Sequence, residues 1–273
     1  MNFSKAAKDN LSQILAITEK NFRLRLRVRI SLFFSFVSPI IMIIMPLIIM
    51  GKFFEYNDNF GPWTEANFLI FPFLAYNIAL LKSIIKVFPT NLRQEKYWQT
   101  LQCLIIAPFN RFNLLFGMFL SQVLIVSIPF FIFIIICYFI YPISFFTLFF
   151  VLFLFLLIAL IFSGIGIIMG IFAISHEEMW AILSFLLTLV FWASCLTYPF
   201  DIYPDFLQFL IRLNPFYYMF DVVRLTWIEN NILLTLQLYP FNFAIIFSCA
   251  IILPILGVIV FNYIYKKYGI VGY

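Results

Sequence analysis

The chain has 273 residues, of which 64% are hydrophobic, 21% aromatic and only 11% charged, and its mean hydropathy is +1.06. A soluble domain carries about 25% charged residues, so the polar surface here is too small to cover a body in water. This excludes a soluble enzyme, a disordered chain and a coiled coil, and the net charge of +5 reads as a mark of membrane orientation with no nucleic-acid partner.

Residues 1–29 are long and mixed in polarity, without the Ala-x-Ala site of a cleaved signal peptide, so they are expected to stay attached. Phe3, Ala7, Leu11, Leu15 and Phe22 recur near helical spacing, with Lys5, Lys8, Asp9 and Lys20 elsewhere. That spacing predicts an amphipathic helix lying along the membrane interface. Arg23, Arg25, Arg27 and Arg29 then alternate with Leu24, Leu26 and Val28. Taken alone the alternation is a strand signal, but beside a membrane span it reads as an arginine collar at the headgroups.

Charge-free runs place the spans. Residues 30–51 hold no Asp, Glu, Lys or Arg, long enough at ~1.5 Å per residue to cross a ~30 Å hydrocarbon core. A second span is placed at about 67–88, with Lys82 and Lys86 near one end where their stems can snorkel. The run 112–176 has no charged residue and is broken at Tyr138–Pro142, giving spans near 113–138 and 145–171. A fifth is placed at 179–198 and a sixth at 241–264, with 265–273 as a tail. The expected fold is an all-α polytopic membrane protein of six transmembrane helices, with a single membrane-embedded body over 30–264. Fourteen of the 17 basic residues then fall on the side of the two termini, and Lys52, Arg212 and Arg224 on the other. The bias places both termini in the cytoplasm.

Two connecting segments exceed what a passive bundle needs. Between Pro89 and Pro108, Asn91 with Gln94 three residues on forms a capping-box pattern that opens a cytoplasmic helix at about 92–105. Tyr97, Leu101, Leu104 and Ile105 form its apolar face, with Glu95, Gln99 and Gln102 mainly on the other side. Resting on the bilayer and docking on a soluble partner remain equal alternatives on geometry alone. The segment 199–240 is too aromatic for a solvated loop and is cut at Asn214–Pro215. Asn214 as N-cap and Pro215 at the first helical position predict two short helices, about 204–213 and 215–229, dipping into the outer leaflet and turning back. Asp221 and Arg224 are three apart and are expected to pair across one turn.

Other features carry no chemistry. His176-Glu177-Glu178 lacks the second histidine of a zinc-protease motif, since position 180 is Trp, and Ser175 with Glu178 reads as a capping box for the fifth span. Gly166 and Gly170, with Ser163 and Gly164 nearby, give the fourth span a small-residue edge for close packing. Pro39, Pro46, Pro129 and Pro254 lie within spans and predict kinks. Cys103, Cys137, Cys195 and Cys249 are spread too evenly for a disulfide framework or a metal cluster. The span centres hold no ionisable residue, which argues against ion-coupled transport and a charged channel filter. A phosphate-binding Gly-x-x-x-x-Gly-Lys loop is also missing, so the chain is not expected to hydrolyse ATP.

The order of these parts resembles the membrane subunit of ABC transporters of the second export type, the ABC type-2 permeases. Glu95, Thr100, Leu101 and Pro108 match the Glu-Arg, Gly-Thr-Leu-Glu and Pro string of their second loop, with Gln99 or Trp98 in place of the glycine and Gln102 in place of the second acid. Leu213-Asn214-Pro215, Tyr217-Tyr218, Asp221 and Arg224 match the string before the last span, and Tyr198-Pro199 and Tyr203-Pro204 the outer turn. The resemblance implies a homodimer, or a heterodimer with a close paralogue, in the plasma (inner) membrane. Each copy would dock a cytoplasmic ABC ATPase subunit through the 92–105 coupling helix, with Glu95, Tyr97, Thr100, Leu101 and Pro108 at the contact. ATP and Mg would be bound by the two ATPase copies, with no cofactor, metal or covalent catalysis on this chain. The re-entrant hairpin, with Asn214, Pro215, Tyr217, Tyr218, Asp221 and Arg224, would form an outer gate.

The expected substrate is an amphiphile taken from the inner leaflet, first a lipid-linked polysaccharide or teichoic-acid-like glycan and next a hydrophobic drug or lipid. The 39 phenylalanines and 14 tyrosines suit such a path, although ordinary membrane packing explains them first. A membrane-embedded glycan or lipid transferase would need clustered acids or histidines, and a non-catalytic assembly factor would need no ATPase.

Overall fold

The computed structural model describes residues 3–56, 59–99, 110–175 and 178–268. They form helices α1 (Phe3–Arg27) and α2 (Arg29–Tyr56), a two-residue hairpin of β1 (Asn59–Phe60) and β2 (Trp63–Thr64), then α3 (Ile70–Leu81) and α4 (Ser83–Tyr97). There follow α5 (Arg111–Ile140), α6 (Phe145–Ser175), α7 (Met179–Trp192), a 3-10 turn at Phe200–Ile202, α8 (Asp205–Arg212), α9 (Pro215–Glu229), α10 (Ile232–Leu238) and α11 (Pro240–Tyr268). Among the described residues five stretches are long and apolar enough to cross a membrane: Leu32–Glu55, Ile70–Tyr97, Arg111–Ile140, Phe145–Ile174 and Pro240–Ile264. Helix is the form that such sequences must take in lipid, where each backbone N–H and C=O needs a partner within the segment. The chain is an all-helical polytopic membrane protein.

Helix α6 is the hub. It packs along α4 on one side and α11 on the other, and also meets α3, α5, α7 and α9. Small residues permit this closeness. A Cβ on Gly164 would stand 2.6 Å from the Leu253 carbonyl oxygen and the Pro254 nitrogen of α11, and one on Gly166 would stand 2.7 Å from Phe88 Cδ2 and 2.8 Å from the Ile85 oxygen of α4. The small-residue edge read from the sequence therefore serves two neighbours. A smaller core of Met50, Phe54, Trp63 and Phe71 closes the end of the bundle that carries the β hairpin.

The first helix lies on the bundle as well as beside it. Ile17 is buried against Gly117 of α5, the Thr18 hydroxyl donates to the Gly117 oxygen at 3.3 Å, and Asn113 Nδ2 donates to Asn10 Oδ1 and Gln13 Oε1 at 2.8 Å each. Leu11 and Leu15 remain exposed on an adjoining face. Residues 23–27 are helical, so the Arg-Leu alternation makes no strand.

Three expectations from the sequence need correction. The segment proposed as a fifth span, 179–198, is helical only over α7, 14 residues or ~21 Å, short of a ~30 Å core. The helix stops because the Ser194 hydroxyl bonds back to the Phe191 oxygen and Cys195 turns to a left-handed φ of 53°. The helix expected to begin at Leu92 has no such start: α4 runs from Ser83 to Tyr97 straight through Pro89 and Asn91. Pro89 lacks the donor that would reach the Ile85 carbonyl, and close packing on α6 holds the helix through that point. Beyond Gln99 the coupling helix lies outside the described residues. Finally, Ser175 ends α6 and Glu178 sits at the N-cap of α7 without a side-chain cap bond, so the two form no capping box.

Candidate functional site

The break at Asn214–Pro215 is built as a joint. Asn214 is the N-cap of α9, its Oδ1 accepting from Phe216 N at 3.0 Å, with Pro215 at the first helical position. Its amide nitrogen also donates to Val190 O at 2.6 Å and Ala193 O at 2.9 Å. A helix end leaves its last carbonyls without intrahelical donors, and here the side chain that opens α9 satisfies carbonyls at the end of α7.

Arg224 continues the same task further along α9. It is 1% exposed, and its guanidinium donates to Cys195 O at 2.8 Å and Leu196 O at 2.7 Å while stacking 3.7 Å above the Phe71 ring. The planar fork of arginine matches two adjacent carbonyls, and a cation is favourable past a helix C-terminus. Among the described residues Arg224 forms no ion pair with Asp221, which corrects the pairing read from their spacing. The guanidinium turns to the fixed carbonyls, and Asp221 turns to α11, where its Oδ2 accepts from Asn242 Nδ2 at 3.4 Å. Burial pushes the Asp221 carboxyl up to about 6, against the opposing Arg224 charge and the Asn242 hydrogen bond. Burial also lowers Arg224, to about 10, which leaves it charged at neutral pH.

The surrounding side chains tie this joint to the rest of the bundle. Tyr217 packs on Phe200 at 5.3 Å, and the Tyr218 hydroxyl donates to the Arg212 oxygen at 2.8 Å. Trp227 Nε1 donates to Tyr141 O at 3.2 Å, and Asn230, in a left-handed conformation with φ 47°, accepts from Ser144 N at 2.7 Å. Asn242, Trp227, Asn230 and the acceptor turn at Cys195 were missed in the sequence. The positive φ at Asn230 had a signal, because Asn-Asn after an apolar helix is a common left-handed stop, whereas Asn242 had none.

At the opposite end lie the residues assigned to ATPase coupling. Glu95 was expected on an exposed polar face. It is instead 5% exposed and ion-paired with Lys20 of α1, because α1 crosses the end of α4 on that side. Tyr97 and Trp98 are the exposed groups there, 85% and 52%. They adjoin a cavity of about 450 Å³ lined in part by Arg93, Gln94, Tyr97 and Trp180. Lys96 Nζ donates to the Ile174 oxygen at 3.1 Å, closing the last turn of α6. Thr100, Leu101 and Pro108 lie outside the described residues. Of the collar, Arg23, Arg27 and Arg29 are exposed, whereas Arg25 is partly buried. On a helix, residues two apart differ by ~200°, so a period of two sends alternate arginines to opposite sides.

Among the described residues no three His, Cys, Asp or Glu side chains converge as a metal-binding group. Residues 12–227 match the family model described as ABC-2 type transporter. No curated protein matches the chain.

Proposed function

The chain belongs to the ABC-2 type transporter family, as a multi-pass membrane permease subunit, and from that premise we propose that it forms the translocation path of an ATP-driven exporter of an amphiphile. The substrate class we favour is a lipid-linked polysaccharide or teichoic-acid-like glycan. Members of the family generally pair with a nucleotide-binding ATPase subunit. In our reading two copies of this chain stand in the plasma membrane, each carrying one such subunit on the cytoplasmic side.

The observation that carries this reading is the connection between the two ends. The exposed Tyr97 and Trp98 stand at the tip of α4, α4 packs along α6, and α6 packs on α9, which holds the Asn214 and Arg224 joint. A rigid helix displaced at one end moves its other end, since packed helices transmit motion by discrete shifts. ATP binding on the partner shifts α4 and α6, and the joint on α9 then opens against the end of α7. No bond is made or broken on this chain. Its side chains hold one of two arrangements, and the partner's nucleotide biases between them.

A double change, Tyr97→Ala with Trp98→Ala, tests the docking step. It leaves membrane abundance at the wild-type level, because both side chains are exposed. Substrate-stimulated ATP hydrolysis of the reconstituted complex is expected to fall at least fivefold. Hydrolysis at the wild-type level would remove the tip of α4 as the docking surface.

A further inference from the structure

A cleft of about 410 Å³ opens between α1, α2, the α3–α4 helix and α5, within the ~300–1,000 Å³ span of ligand sites. Three cations line it, Arg25, Lys82 and Lys86. Lys82 and Lys86 lie one turn apart on one face, where like charges repel. None of the three is ion-paired among the described residues, and no acidic residue lines the cleft. Lys82 Nζ lies 4.1 Å from the ring centre of Phe191, a contact that holds the charge without neutralising it.

Beside Pro39, Met42, Ala79, Val87 and Ile125, the rest of the lining is polar where a membrane helix is ordinarily apolar. Ser35 and Ser38 come from α2, Ser83 from α4 and Gln122 from α5, with Gln122 Nε2 donating to Ser83 Oγ at 2.7 Å. Asn21 Nδ2 is buried at the cleft and has no hydrogen-bond partner, a donor left for an acceptor. Lys82 stands 15 residues before Tyr97, roughly 22 Å along the helix, so the cleft reaches well in from the helix tip. Lysines that only snorkel would point away from the bundle. These two line a shared cavity with an arginine that the helical turn has brought from the collar.

We propose that this cleft is an anion site for a phosphoryl group, the headgroup of a membrane amphiphile or a phosphate free in the water. Arg25, Lys82 and Lys86 supply the charge, and the Asn21 amide supplies a directed donor. Its part in substrate loading rests on the transporter reading above, whereas its existence does not.

The test uses the full chain in phosphatidylcholine bilayers containing spin-labelled phosphatidylglycerol or spin-labelled phosphatidylcholine, without ATPase or nucleotide. The wild type is expected to select the anionic lipid at least fivefold. Lys82→Gln with Lys86→Gln abolishes the selection, and Lys82→Arg with Lys86→Arg keeps it. Ser38→Trp, an exposed position at the cleft, abolishes it by filling the space with every charge in place. This arm decides the matter if the glutamine pair fails to fold. Arg23→Gln with Arg27→Gln, on the exposed collar, leaves it intact. A second arm adds inorganic pyrophosphate to the purified chain. Binding there that requires Lys82 and Lys86, with no lipid selection, assigns the site to free phosphate. Displacement of the labelled lipid assigns it to both. No lipid selection with no pyrophosphate binding would overturn the proposal. So would selection that survives both the glutamine pair and Ser38→Trp, or that is lost with the collar. Because no arm needs ATP, a chain that binds but shows no ATP-coupled export fails the transporter reading alone.

Discussion

Arg224 satisfies two backbone carbonyls at a turn where the chain itself supplies no donor. Arg224→Ala leaves the Cys195 and Leu196 oxygens buried and unpaired, and at about 1–3 kcal/mol for each such group the loss is about 2–6 kcal/mol. Asn214→Ala removes an N-cap worth about 0.5–2 kcal/mol, and with it the donor to Val190 and Ala193. Asp221→Ala is expected to cost least, since its one hydrogen-bond partner among the described residues is Asn242, at 3.4 Å. Denaturant unfolding in detergent, with solute leak from liposomes, measures all three. Equal losses for Arg224→Ala and Asp221→Ala would restore the ion pair that the spacing suggested. The sequence disclosed the cap because Asn-Pro is a local signal carried by two adjacent residues. It did not disclose the clamp, because a carbonyl acceptor 29 residues away leaves no mark in residue type.

Packing density sets the prediction for whole helices. Gly164 faces the backbone of α11 and Gly166 the backbone of α4, and neither neighbour can yield as a flexible side chain would. Gly164→Ala or Gly166→Ala is therefore expected to destabilise by about 1–3 kcal/mol, the range for overpacking a close contact. Gly51 in α2 has nothing within 4 Å of an added Cβ, and Gly51→Ala is expected to be neutral or to stabilise by about 0.5–1 kcal/mol, as in an ordinary helix. Thermal unfolding of the three variants separates these outcomes, and a Gly51→Ala loss equal to the other two would contradict the packing account. The small residues on α6 were legible at Gly166 and Gly170 from spacing alone. Their partners Ile85, Phe88, Leu253 and Pro254 were not, because helix pairing across tens of residues is set by shape and not by periodicity.

For the molecule as a whole, charge-free runs located four of the five long apolar stretches among the described residues, since charge is costly inside lipid, whereas Ile70–Tyr97 carries Lys82 and Lys86 within it. The same reasoning overran at α7, where residues 193–198 are uncharged but turned by Ser194, Cys195 and the Arg224 clamp. It also overlooked the burial of Glu95, because the Lys20 that meets it comes from a helix 75 residues earlier. The proposed machine couples the tip of α4 at one end to the joint on α9 at the other, through α6. Its most direct test is ATP-dependent movement across a sealed bilayer, with the chain and its nucleotide-binding subunit reconstituted together. A lipid-linked glycan on the inner face should become accessible to an impermeant oxidant outside when ATP is added, and not when a hydrolysis-deficient partner replaces the active one. Glycan exposure that is the same with and without ATP, for that glycan and for a short-chain fluorescent lipid alike, would contradict an ATP-driven exporter.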